Sequence, residues 1–434
     1  MSEQFLNKVE ELKPTLAAQR RDLHKHAESG WTEFRTASLA IKKMQSLGFK
    51  ITMGADAVSE ADMMGVPAAS VLQANMERAI AQGADPELVA KMQGGKTAFW
   101  ADMDFGSEGP SLAVRFDMDC NDVTEYAGED HRPNKEGFAS INKGCMHACG
   151  HDGHTSIALA LAEVVASMRD ELKGKIRFIF QPAEEGVRGA IPMEKAGAVD
   201  GIDIIYGMHL GFQANKIDKI ICGTKNFLAT TKADVTFKGV AAHAGNAPEE
   251  GKNALLAAAT ATLNMHAIPR SGKGDTRITV GKLIGGEGRN VIPPKAVLVL
   301  ETRGITSDLN NYMYGEVQRI AKAAALMWDC EYDIEIKGGT SSGESDRECA
   351  ELVAEAAKEM GCYNDIILEQ NFGASEDYAH FMSTVQAHGG KGTYVQVGSN
   401  LAAGHHNQHF DFDEQSLSNA LELMSRCIHK TLAK

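Results

Sequence analysis

No stretch of this 434-residue chain holds the roughly 18 consecutive apolar residues that a membrane-crossing helix needs, so no transmembrane segment is expected. Residues 1–11 are polar and acidic and lack the apolar core of a secretory signal. Eight cysteines lie scattered at 120, 145, 149, 222, 330, 349, 362 and 427, too sparse for a disulfide framework, which leads us to expect a reducing, cytoplasmic compartment. Positive charge is in deficit. The formal net charge of -14 argues against nucleic acid or an anionic membrane as a general partner. Gly285-Gly286-Glu287-Gly288-Arg289-Asn290-Val291-Ile292-Pro293 is glycine-rich but has neither GxGxxG nor Walker spacing, which excludes a nucleotide loop of those types. No low-complexity segment and no clear repeat is found.

What remains is an ordinary globular composition, 43% hydrophobic and 24% charged. The length exceeds what one compact core supports, so two domains are expected. One window stands out: Cys145-Met146-His147-Ala148-Cys149-Gly150-His151-Asp152-Gly153-His154. It packs two thiols, three imidazoles and a carboxylate together, and thiolate and imidazole are the donors that zinc-like ions prefer. A helix would place His147, His151 and His154 on one face. Gly150 and Gly153 speak against it, because each weakens a helix interior by roughly 1 kcal/mol. The window is therefore expected to be loop-like around a metal.

Apolar periodicity predicts helices through residues 3–48, with Phe5, Val9 and Leu12 on one face, then Leu39, Met44 and Leu47 before Gly48. Residues 54–96 are rich in Ala, Met and Gln. They read as a helical insertion, with periodicity at 69–81 and 86–92, serving as a rim or partner surface. From about 97, short apolar strands (111–116, 175–180, 202–206, 393–397) alternate with helices such as 154–168. That pattern implies a largely parallel sheet, whose strand carboxyl ends collect functional groups. Asp117, Glu184, Glu185 and His209 each fall just past such an end.

The block 223–337 reads strand, helix, strand, strand, helix, strand, the order of a small ferredoxin-like α+β domain. The parallel pattern resumes afterwards, so this domain is inserted into the first. The expected division is 1–222, 223–337 and 338–434.

Five groups can close a two-metal site: Cys149, His151, Glu185, His209 and one of His405 or His406. Alone, Glu184-Glu185 reads as a solvated pair. Its place after an apolar strand and Pro182 lets one carboxylate bind metal while the other acts as general base. Asp117 is a candidate to orient a ligand histidine. Asp119 is an equal candidate, or an N-cap. His243, in the small-residue turn Gly239–Gly245, is placed to donate to an oxyanion. Arg303, at the end of an apolar strand, is suited to clamp a substrate carboxylate.

These motifs, in this order, resemble the dimetal amidohydrolase/peptidase family of carboxypeptidase G, aminoacylase and indole-acetyl-amino-acid hydrolase. The segments that carry the resemblance are Arg20-Arg21-Asp22-Leu23-His24, Arg115–Asp119, Met146–His154, Phe180–Gly186, Ala242–Gly245, Asn290–Pro293, Ser375-Glu376-Asp377 and His406 before Phe410. It implies a zinc-peptidase-like catalytic domain with an inserted lid and dimerisation domain. It also implies two divalent ions, Zn or Mn, on Cys149 (bridging), His151, Glu185, His209 and His406, with Glu184 as general base and Asp117 behind the ligands. His243 would act across a dimer, and Asn290 and Arg303 would bind the substrate carboxylate. The usual histidine two residues before Asp117 is Arg115 here, as in the amidohydrolase branch. The insertion at 54–96 points to the branch that cleaves p-aminobenzoyl-glutamate. Other N-acyl amino acids are the alternative substrates. The alternative assembly is a heterodimer, in which this chain turns over substrate only beside a homologous partner.

Overall fold

A computed structural model describes residues 3–434, with side chains from residue 6 onward; the Phe5 side chain of the expected helix face lies outside the described residues. The chain divides into two compact units, Met1–Lys225 with Glu344–Phe372 and His380–Lys434, and Asn226–Gly343 with Gly373–Ala379. The second unit thus also takes in 373–379, a short return that composition did not signal.

Among the described residues the strands are β1 (Lys50–Met53), β2 (Phe99–Asp104), β3 (Ser111–Asp117), β4 (Lys175–Gln181), β5 (Ile204–Leu210), β6 (Lys219–Lys225), β7 (Ala229–Lys238), β8 (Thr276–Gly285), β9 (Lys295–Gly304), β10 (Glu331–Thr340), β11 (Asp365–Asn371) and β12 (Lys391–Val397). The first unit holds an eight-stranded mixed sheet in the order β1-β2-β4-β3-β5-β12-β6-β11. Its centre, β4-β3-β5-β12, is parallel throughout. These strands are covered on both faces, which is why they read as continuous apolar runs rather than alternating ones. Because they run the same way, the carboxyl ends of β3, β4, β5 and β12 open on one edge. β1, β6 and β11 escaped the sequence reading. β1 has only four residues, and β11 is an edge strand of half-buried residues without clean alternation.

Helix His151–Ser167 is buried over almost all of its length, as its all-round apolar sequence requires. It starts three residues earlier than its apolar run, so the expectation of a loop through Gly153 is corrected. Gly150 is the N-cap, with φ 94°, and turns the chain into the helix. Gly153 sits in the first turn because a Cβ there would meet Phe412 at 2.8 Å and Leu210 at 2.9 Å. Close packing outweighs helix propensity at that position.

The insertion forms helices Ala69–Ala81 and Pro86–Lys91, the second capped by Asp85, whose side chain accepts from the Glu87 N–H. Leu72, Ala79, Leu88, Val89 and Met92 join the main hydrophobic core, so the insertion is part of the first unit's body as well as its rim.

The second unit is an antiparallel sheet, β10-β7-β9-β8, with helices Ala254–His266 and Ser307–Met327. Val235, Phe237, Leu298 and Leu300 of the sheet pack on Ala257, Ala261, Met313 and Val317 of the helices. Asn253 and Thr306 cap the helix starts by accepting from Leu256 and Leu309 N–H. Strand order and connection match the ferredoxin-like pattern.

Candidate metal centre

Three ligand-type groups converge at the open edge of the sheet. Cys149 ends the loop before helix His151–Ser167, His151 begins that helix, and His209 is the penultimate residue of β5. Their donor atoms lie within 4.8 Å of one another, and Cys149 Sγ is 3.4 Å from His209 Nε2. A second group, Cys149, Glu185 and His406, meets the same criterion, as does a third, His151, Glu184 and Glu185. Cys149 belongs to the first two groups at once, the position a bridging thiolate requires.

Both imidazoles are aimed from behind. His151 Nδ1 pairs with the Asp119 carbonyl at 2.9 Å, and His209 Nδ1 with the Leu210 carbonyl at 2.8 Å. Each Nδ1 therefore carries the proton in the neutral ring, and each Nε2 offers a lone pair to the shared space. Burial and the neighbouring His154 and His405 hold His209 neutral. His151 is opposite in character. Burial opposes its charge, but Asp117, Asp119 and Glu185 prevail and push it up to about 10. Burial likewise raises the Glu185 carboxyl, and His406 and His151 outweigh it and bring it below its ordinary range. These surroundings favour a positive charge at the centre.

The residues fit a metal on a further ground. His151 Nε2 and Glu185 Oε1 are buried without a hydrogen-bond partner. Orphaned polar atoms of this kind cost about 1–3 kcal/mol each, and a cation between them removes that cost.

The loop after β4 is tightly braced. Asp119 accepts the Glu184 N–H on Oδ1 and the Glu185 N–H on Oδ2, both at 3.0 Å. Glu33 accepts the Ala183 N–H at 2.9 Å and the Thr97 hydroxyl at 2.6 Å. Ala183 and Val187 adopt left-handed φ of 51° and 58°, a strain that persists only where the surroundings over-determine the backbone. The result sets Glu184 Oε2 4.0 Å from His151 Nε2.

Several sequence expectations are sharpened here. The carboxylate of Asp117 goes directly to His154 Nδ1, at 2.6 Å, and to Arg115, at 2.7 Å, and lies 3.8 Å from His151 Nδ1. His154 in turn accepts the Leu210 N–H on Nε2 at 3.0 Å, so both its nitrogens are engaged. Asp119 is no N-cap; it orients His151 and the catalytic loop together. Between the two adjacent histidines, His406 faces Glu185, with Nε2 3.3 Å from Oε1, whereas His405 turns to the Leu210 carbonyl. His406 has φ 65° and is anchored by its N–H on the Ala148 carbonyl at 2.7 Å. Asp119 was open to a sequence reader as the second residue of an Asp-x-Asp pair. Glu33 carried no signal at all.

In the second unit, His243 is exposed and its Nδ1 accepts from the Gly245 N–H at 3.2 Å. The Ala244 N–H donates to the Asn290 carbonyl at 2.9 Å, so the segments bearing His243 and Asn290 are paired. Arg303 lies inside β9 with its guanidinium on the Glu301 carboxylate, at 2.9 and 3.2 Å.

Comparison with known proteins agrees with this geometry. The chain is 45% identical to a p-aminobenzoyl-glutamate hydrolase of Escherichia coli (strain K12), over 98% of this chain and 96% of that one. It is 44% identical to indole-3-acetyl-aspartic acid hydrolase of Enterobacter agglomerans, over 96% of each. Among solved structures, an aminobenzoyl-glutamate utilization protein from Klebsiella pneumoniae superposes with a TM-score of 0.85 at 35% identity, covering 98% of both chains. The model of peptidase family M20/M25/M40 matches residues 113–430. With its strand-end cluster of metal-ligand groups, this chain belongs to the M20/M25/M40 peptidase family and is a metal-dependent amidohydrolase within it.

Proposed function

We propose that the chain hydrolyses the amide bond of p-aminobenzoyl-glutamate, giving p-aminobenzoate and glutamate. The observation that carries this reading is the pair of ligand groups sharing Cys149, with Glu184 braced beside them. The substrate is taken from the relatives' names. Cys149, His151, Glu185, His209 and His406 would hold two divalent ions, zinc or manganese; the thiolate leans toward zinc. When bound, the ions supply Lewis acidity that polarises the carbonyl and acidifies water.

The remaining steps belong to side chains. Glu184 takes a proton from the attacking water, whose oxygen becomes part of the p-aminobenzoate carboxylate. As the C–N bond breaks, Glu184 returns that proton to the leaving glutamate nitrogen. His243 of the partner subunit donates to the developing oxyanion. Asn290 and Arg303 receive the substrate carboxylate, Arg303 exchanging Glu301 for it. Asp117 stiffens the wall behind the ligands through His154.

The second unit acts as lid and dimer surface. Its edge strand β8 ends in exposed Leu283 and Ile284, which supports pairing with a second copy or with a homologous partner chain. No helix among the described residues is long and apolar enough to cross a membrane, and all eight cysteines are free thiols, in keeping with the cytoplasm.

A second reading, hydrolysis of another aryl-acyl amino acid, is favoured by the match to the indole-3-acetyl-aspartic acid enzyme. The test is release of p-aminobenzoate by the purified chain after chelation and again with zinc or manganese restored, beside a panel of N-acyl amino acids. Metal-restored turnover preferring p-aminobenzoyl-glutamate is expected. Turnover of other N-acyl amino acids alone would keep the chemistry and discard the substrate. Two bound metals without any turnover would point to a required homologous partner.

A further inference from the structure

The mechanism uses nothing from the insertion, yet the insertion is tied to the catalytic loop. Arg188 spans the two: its Nε donates to the Glu185 carbonyl at 3.0 Å and its Nη1 to the Gly65 carbonyl at 3.1 Å. One residue earlier, the Met64 carbonyl accepts from Trp31 Nε1 at 2.8 Å. Trp31 is fully buried and sits at φ 66°, so it is a fixed anchor. The Ser59 N–H donates to the Pro192 carbonyl at 2.8 Å, closing the base of the same segment onto the chain after the catalytic loop. Gly30 allows this approach, since a Cβ there would stand 2.5 Å from Arg188 Nη2.

The turn Met63-Met64-Gly65-Val66-Pro67 is therefore held by its backbone, one guanidinium away from Glu185. Its side chains are treated differently. Met63 and Met64 are only half-buried, and Val66 is 37% exposed. A segment whose carbonyls are pinned while its apolar side chains stay accessible is organised to present those side chains. Thioethers are adaptable and make favourable contacts with aromatic rings. The reaction proposed above places an aromatic acyl group beside the same loop. Two relatives that match nearly the whole chain, insertion included, carry aromatic acyl groups in their names.

We infer that Met63, Met64 and Val66 form the wall that receives the aromatic acyl group, which makes the insertion the acyl-specificity element of the enzyme. This rests on the amidohydrolase reading. The wall is a positioning surface: it selects the acyl group and takes no part in proton transfer or metal binding.

The test compares p-aminobenzoyl-glutamate with N-acetylglutamate in three proteins: the wild type, Met63→Ala/Met64→Ala, and Val66→Trp, the last filling the wall from an exposed position. Both variants should lose about tenfold or more in kcat/KM on the aromatic substrate. On the acetyl substrate they should stay within about twofold, with metal content and melting temperature unchanged. Equal losses on both substrates, or none on either, would overturn the inference. A binding arm separates this from failure of the functional reading. Calorimetric titration with p-aminobenzoate should show binding to the wild type that weakens about tenfold in each variant, whether or not turnover is seen. Wild-type protein that does not bind p-aminobenzoate, or variants that bind it equally well, would also overturn it.

Discussion

The two regions that carry the proposed chemistry are built on opposite plans. In the first unit every reacting group is buried or braced: the His151 and His209 rings are locked through Nδ1, and Glu184 and Glu185 hang from Asp119. In the second unit His243 and Asn290 are exposed on paired loops, and the Arg303 fork rests on a carboxylate of its own strand. The first plan pre-pays the organisation that a transition state needs. The second leaves groups free to take hold of whatever the substrate brings. The contrast predicts that changes in the first unit act on kcat and metal, and changes in the second on KM.

The sharpest test is Glu184→Gln. General-base catalysis is worth about 10²–10⁴ in rate, so kcat should fall by that factor with both metals retained, measured by steady-state kinetics beside elemental analysis. Loss of metal in this variant would show that Glu184 is a ligand. Cys149→Ala is its counterpart, expected to bind fewer than two equivalents of metal; two full equivalents would break the bridging assignment.

Next in size is Asp119→Asn. The residue touches no substrate, yet it accepts two N–H groups and lends its carbonyl to His151. Groups that orient ligands typically contribute 10–100-fold in affinity or activity. The variant is expected to lose about that much in metal affinity and kcat, with KM little changed. An effect on KM alone would place Asp119 outside the brace.

In the second unit the expectation reverses. Asn290→Ala and Arg303→Lys should raise KM for the glutamate conjugate by about tenfold, the equivalent of one good charge-assisted contact near 1.4 kcal/mol. A conjugate with its α-carboxylate amidated should be insensitive to both changes. A fall in kcat with unchanged KM would erase the contrast between the units.

How far this was legible in the sequence follows the same division. The parallel core could be read because strands buried on both faces are continuous apolar runs, and the strand-end rule then located Glu185 and His209 without knowledge of any contact. The ferredoxin-like block could be read from alternation and from the capping residues Asn253 and Thr306. The choice of His406 over His405 could not, because it depends on a left-handed residue and a single backbone bond to Ala148. Asp119's double acceptance could not either, since it joins the end of β3 to a loop far along the chain. Gly153 misled for a physical reason: its cost in helix propensity was visible, and its contact with Phe412 was not.

The smallest expected effect separates the units by pH. Beside the metal centre, Arg20, Arg21 and Arg132 hold Asp411 and Glu414 in a largely buried network. Burial raises both carboxyls, but Arg132 and Arg20 outweigh it at Asp411, and Arg21, Arg20 and Arg132 at Glu414, so both sit below their ordinary values of 3.8 and 4.5. A carboxyl lowered in the folded state stabilises fully above its unfolded value and loses that contribution as pH falls through its folded value. The comparable group of the second unit, Glu316, is lowered by an exposed Arg319 one helical turn away and contributes little. In chelated protein, where ligand protonation does not enter, hydrogen exchange corrected for its intrinsic pH dependence should therefore lose protection in the first unit before the second as pH drops below about 4.5. Simultaneous loss in both units would mean that the buried arginine network does not set the acid limit, and that the two plans differ in catalytic organisation but not in the forces that keep them folded.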